Sequence, residues 1–68
     1  MVICNCLFTS ETTEMKDFYK TLCDEGLVEG SRADKGNLEY DFFISVDDPK
    51  RMMLIEKWES FDDLQAHS

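Results

Sequence analysis

The 68-residue chain carries one imidazole, His67, and one indole, Trp58, nine positions apart. Imidazole changes charge nearest neutral pH, so His67 is the side chain best suited to act as a base or as a ligand. Glu56 stands two residues before Trp58 in an alternating stretch and so shares its strand face. A carboxylate turned into a pocket there could also serve as base, while the plainer reading pairs it with a Lys or Arg at the mouth of the core. Asn5 interrupts the apolar run Val2 to Phe8. A buried amide without partners costs about 1–3 kcal/mol, which marks Asn5 as a candidate for a polar task. Cys4 and Cys6 could place two sulfurs on one side of a strand, but no second Cys or His pair follows at zinc-site spacing. They read as small buried hydrophobes, and no metal is expected.

These residues need a scaffold, and 68 residues supply one domain. A chain this short buries only roughly 60% of the surface its unfolded form exposes, so a helper is expected. Three cysteines form no closed disulfide framework and suit reduced thiols in the cytoplasm, leaving a second subunit as the natural helper. A formal charge of −8 argues against nucleic acid and against an anionic membrane surface. No apolar run reaches the length of a membrane helix, and the start Met-Val-Ile-Cys-Asn-Cys lacks the form of a signal peptide.

Periodicity orders the elements. Val2 to Phe8 is apolar on both parities and reads as a central strand covered on both faces. Thr9-Ser10 offers an N-cap for a helix from about Glu11 to the low thirties, with Met15, Phe18, Tyr19, Leu22, Cys23 and Leu27 as its stripe and Gly26 and Gly30 as weak points. Gly36-Asn37 turns into an alternating strand from Leu38 to Val46, and Asp47-Asp48-Pro49 reverses it. The next strand, about Arg51 to Trp58, sets Met52, Leu54, Glu56 and Trp58 on one face and Met53, Ile55 and Lys57 on the other. Ser60-Phe-Asp-Asp63 has the form of a capping box, and in the helix it opens His67 falls roughly 60° around from Leu64. Strand, helix, strand, hairpin, strand, helix is most of a ferredoxin-like α+β fold, an antiparallel sheet with helices on one face and no final strand. A partner or a longer natural chain is expected to cover the open edge of the first strand.

Lys35-Gly36-Asn37-Leu38-Glu39-Tyr40, Asp47-Asp48-Pro49, Leu54-Ile55-Glu56-Lys57-Trp58-Glu59-Ser60 and Leu64-Gln65-Ala66-His67 together resemble the antibiotic biosynthesis monooxygenase domain family. The likeness is strong in the second half of the chain and one of pattern in the first. It implies a homodimer of the dimeric α/β barrel kind, with a pocket between sheet and helices, and cofactor-independent oxidation of a quinol-like or phenolic aromatic small molecule. It implies Trp58 as a pocket aromatic, and Asn5, Trp58 and His67 as a site comparable to that of haem-degrading relatives. Haem is expected only under that alternative; a non-catalytic dimeric ligand-binding module is the third. Leu54 stands where the polyketide-oxidising relatives carry an Asn, so that chemistry is not supported.

Overall fold

The computed structural model describes residues 1–68 as a three-stranded antiparallel sheet with three helices on one face. Strand β1 (Val2–Thr9) leads to helices α1 (Met15–Asp24) and α2 (Leu27–Ala33), followed by strand β2 (Asn37–Ile44), strand β3 (Arg51–Trp58) and helix α3 (Phe61–His67). The sheet order is β1-β3-β2, so β3 inserts between the first two strands, as expected of the ferredoxin-like arrangement.

Strand β3 is the hub because both of its edges are paired. Cys4 lies opposite Glu56, Phe8 opposite Met52, and Tyr40 opposite Glu56 from the other side. Met52, Leu54, Glu56 and Trp58 are buried in strict alternation beneath the helices. Aromatic contacts tie α1 to the sheet, with Phe18 against Phe8 at 5.8 Å and Tyr19 against Phe42 at 5.1 Å between ring centroids. Only seven residues are buried in all, so the core is thin and each of its members carries a large share of the stability.

Strand β1 has the open edge expected without a final strand, but it departs from expectation in its faces: the second, bearing Ile3, Asn5 and Leu7, is exposed. An apolar composition on both parities signals that both faces can be covered, and within one chain the helices cover only one.

The helical region also differs. Ser10 does not begin the first helix; its Oγ accepts from the Thr12 and Thr13 N–H groups in a side-chain turn, and α1 starts at Met15. The Met15 N–H donates to the Pro49 carbonyl at 2.8 Å, so the helix start is placed by the β2-β3 hairpin. Gly26, at φ 77°, then divides the long apolar stripe into two helices, and Cys23 and Leu27 at the divide are exposed.

The elements carrying the candidate residues form as expected. Gly36 adopts φ 82°, where a side chain is strained, and a Cβ there would collide with the Asp63 carboxylate. Its carbonyl accepts from the Glu59 N–H at 2.8 Å, pinning the entry of β2 to the exit of β3. Ser60 caps α3, its Oγ accepting from the Asp63 N–H at 3.1 Å.

Candidate active site

The alternation of β3 carries Glu56 and Trp58 to the helix side, where Trp58 is 0% and Glu56 6% exposed. Burying an indole N–H or a carboxylate demands partners, and these two supply each other: Trp58 Nε1 donates to Glu56 Oε1 at 3.1 Å. The other carboxylate oxygen, Oε2, accepts from the Cys6 thiol at 3.7 Å. Glu56 makes no ion pair with Lys or Arg, contrary to the expectation for it; the nearest basic group is His67, with Nε2 4.0 Å from Oε1.

His67 lies in the last turn of α3, on the side turned toward the sheet. Its ring packs against Trp58 at 4.8 Å and Tyr40 at 5.8 Å between centroids. Nδ1 meets the Asp34 carboxylate at 2.7 Å. An ionised carboxylate can only accept, so Nδ1 carries the hydrogen in that bond and Nε2 faces Glu56. Asp34, just after α2 and 33 positions before His67, is a site residue that the sequence does not single out. The only signal for it was an acidic residue near the Gly36 turn.

Trp58 and His67 are therefore brought together, and Asn5 is not brought to them within one chain. Asn5 pairs with Ile55 and stands exposed on the helix-free side of the sheet. Trp58 also lines none of the four cavities of the structure. The hollow that reaches the cluster lies on the far side of His67, encloses about 420 Å³ and is walled by Asp34, Lys35, Asp62, Asp63, Ala66 and His67.

On the other flank of Glu56, Cys4 and Cys6 point to the same side of β1, and the ligand-capable atoms of Cys4, Cys6 and Glu56 lie within 4.8 Å of one another. Burial, reinforced by Cys4 and Glu56, pushes the Cys6 thiol up to about 11. The two cysteines do not have the dry apolar surroundings expected of them, because a carboxylate from 50 residues away shares their space.

Residues 8–68 match the family model of the antibiotic biosynthesis monooxygenases. The chain belongs to that family. The matched stretch contains Asp34, Glu56, Trp58 and His67 and leaves Asn5 outside. Among curated proteins, the chain is similar to YcnE of Bacillus subtilis (strain 168), which bears a provisional monooxygenase name. The two are 34% identical over 44 residues, which is 65% of this chain and 46% of that protein. The aligned part thus spans about half the length of that relative. Among solved structures, one from Nitrosomonas europaea, provisionally described as an antibiotic biosynthesis monooxygenase, superposes with a TM-score of 0.72 at 27% identity. That match covers 97% of this chain and 68% of that one. The α+β ferredoxin-like fold of the antibiotic biosynthesis monooxygenases is thus shared over nearly the whole chain. No helix is long and apolar enough to cross a membrane.

Proposed function

We propose that this member of the family is a monooxygenase acting on a quinol-like or phenolic small molecule, with His67 as the base and neither metal nor flavin taking part in the oxidation step. The observation that supports it most is the seating of His67: one ring nitrogen is held by Asp34 at 2.7 Å, while the ring rests against Trp58 and Tyr40 at the edge of the hollow. With Nδ1 occupied by Asp34, Nε2 is the nitrogen left to take a phenolic proton, and it lies 4.0 Å from Glu56, so the phenol has to reach the Glu56 side of the ring. The resulting electron-rich anion reduces O₂ itself; one oxygen atom enters the ring and the other leaves as water, the substrate supplying all the electrons. Asp34, Asp62 and Asp63 around the hollow favour a phenol that arrives neutral over one already ionised.

The reading includes a homodimer formed through the helix-free face of the sheet. Ile3, Leu7 and Phe43 each leave about half their surface exposed there, and Leu7 and Phe43 flank Met53 on the ladder, apolar surface that a second copy would cover. The haem-degrading alternative drew on Asn5, Trp58 and His67 forming one site, and the position of Asn5 on the opposite face removes that support. Titration with hemin is therefore expected to give no saturable Soret shift.

The test is an oxygen-electrode assay of metal-free protein against a panel of quinols and phenols. Substrate-dependent O₂ uptake is expected. A panel that yields saturable binding without uptake would replace this reading with a non-catalytic ligand-binding module in the same hollow.

A further inference from the structure

Glu56 presents a problem that the oxidation reading does not absorb. It is a buried carboxylate without Lys or Arg, and one of its oxygens is turned toward a pair of cysteines. Charges taken out of water are costly unless paired. The polar partners present are an indole N–H, a thiol and, at 4.0 Å, an imidazole.

Three features of the group fit a soft metal ion. Cys4 and Cys6 are two apart on a strand and so share a face, and Cys4 sits directly across the ladder from Glu56. Around a tetrahedral zinc ion, with Zn–S near 2.3 Å and Zn–O about 2.0–2.2 Å, neighbouring ligand atoms stand roughly 3.5–3.8 Å apart. Cys6 Sγ and Glu56 Oε2 are already 3.7 Å apart, and no separation in the trio exceeds 4.8 Å, a gap that small side-chain rotations close. The carboxylate is also oriented in advance. Trp58 Nε1 holds Oε1, which leaves Oε2 facing the sulfurs, as an outer-shell donor orients a metal ligand. Both cysteines are half-buried on an edge strand, so an ion has a path in from the unpaired edge of the sheet.

We propose that Cys4, Cys6 and Glu56 form a three-ligand site for a thiophilic divalent cation of the zinc type, with water completing the tetrahedron. Two thiolates select such a cation over magnesium or calcium, which prefer all-oxygen surroundings. The site would clamp the edge strand β1 to the central strand β3. It goes beyond the oxygenation reading and does not depend on it, since a protein that oxidises no phenol would keep the same three ligands.

The experiment uses the reduced, metal-free full chain carrying Cys23→Ser, so that Cys4 and Cys6 are its only thiols. Cadmium is titrated in, with the thiolate-to-cadmium charge-transfer absorption as the readout. The expected result is saturation at one cadmium per chain, displacement by zinc, a higher Tm in the loaded protein, and an affinity at least about tenfold lower in Glu56→Gln. The proposal is overturned by the absence of a saturable band, by saturation at one cadmium per two chains, or by unchanged affinity in Glu56→Gln. Should Glu56→Gln lose its far-ultraviolet circular dichroism, the Tm of the Cys23→Ser protein decides: no rise at one equivalent of cadmium overturns the site.

Discussion

On the helix side of the sheet Met52, Leu54, Glu56 and Trp58 are sealed, whereas on the other side Ile3, Leu7 and Phe43 each leave about half their surface to solvent. Both sides are apolar by composition, and the polar groups differ in burial: Glu56 and Trp58 are sealed on the first side, while the Lys57–Glu39 ion pair at 3.0 Å on the second stays partly exposed. Cys6, Trp58 and His67 gather around Glu56 there and His67 meets Asp34 at the rim, while the only polar side chain of β1 on the open side before Thr9, Asn5, stands exposed. Under the proposed function the contrast separates two tasks: chemistry is assigned to the covered face and assembly to the open one.

The contrast can be broken most forcefully at Trp58. Truncating it to Ala removes a fully buried indole and the donor to Glu56, at a cost of about 3–5 kcal/mol. A core this small has little more than that to lose, so urea denaturation followed by circular dichroism should find Trp58→Ala largely unfolded. Gly36→Ala is next, at about 1–3 kcal/mol, because φ 82° is strained for a side chain and the added methyl meets Asp63. Ser60→Ala should cost about 1 kcal/mol by removing the cap of the helix that carries His67. Leu7→Asp on the open face should change single-chain stability by less than about 0.5 kcal/mol. Light scattering should nevertheless show that it abolishes a homodimer present in the unmodified protein.

A pH experiment sharpens the same comparison among the thiols. Cys6 is held protonated in the folded protein up to about 11, against an ordinary value of 9.0 in the unfolded chain. Its contribution to stability is therefore intact below about pH 9 and is lost as pH rises through about 11. Since thiolates are the species that alkylate, exposed Cys23 should react first and Cys6 last at neutral pH, as read by mass spectrometry of the modified residues.

Local signals foretold the scaffold well. The alternation of Met52, Leu54, Glu56 and Trp58, the turn at Gly36 and the cap at Ser60 each depend on residues a few positions apart, and all three hold. Where a local feature had two outlets the outcome was less legible. Ser10 could cap a helix or close a side-chain turn, and the hairpin carbonyl of Pro49 favoured the turn by claiming the Met15 N–H. The site was half visible, because its parts are held by contacts across long separations. The Asp34 to His67 bond spans 33 positions and the Cys6 to Glu56 contact 50, and neither leaves a trace in local spacing. Asn5 shows the same limit from the other direction: an apolar strand announces that its faces can be buried without saying which one the helices will take.

Oxygen uptake by His67→Ala and Asn5→Ala, measured side by side with the unmodified protein on the same phenolic substrate, tests the assignment of chemistry to the covered face most directly. The account predicts a loss of about 10²- to 10⁴-fold for His67→Ala and unchanged uptake for Asn5→Ala. Full activity in His67→Ala together with loss in Asn5→Ala would contradict it and move the reaction to the open face.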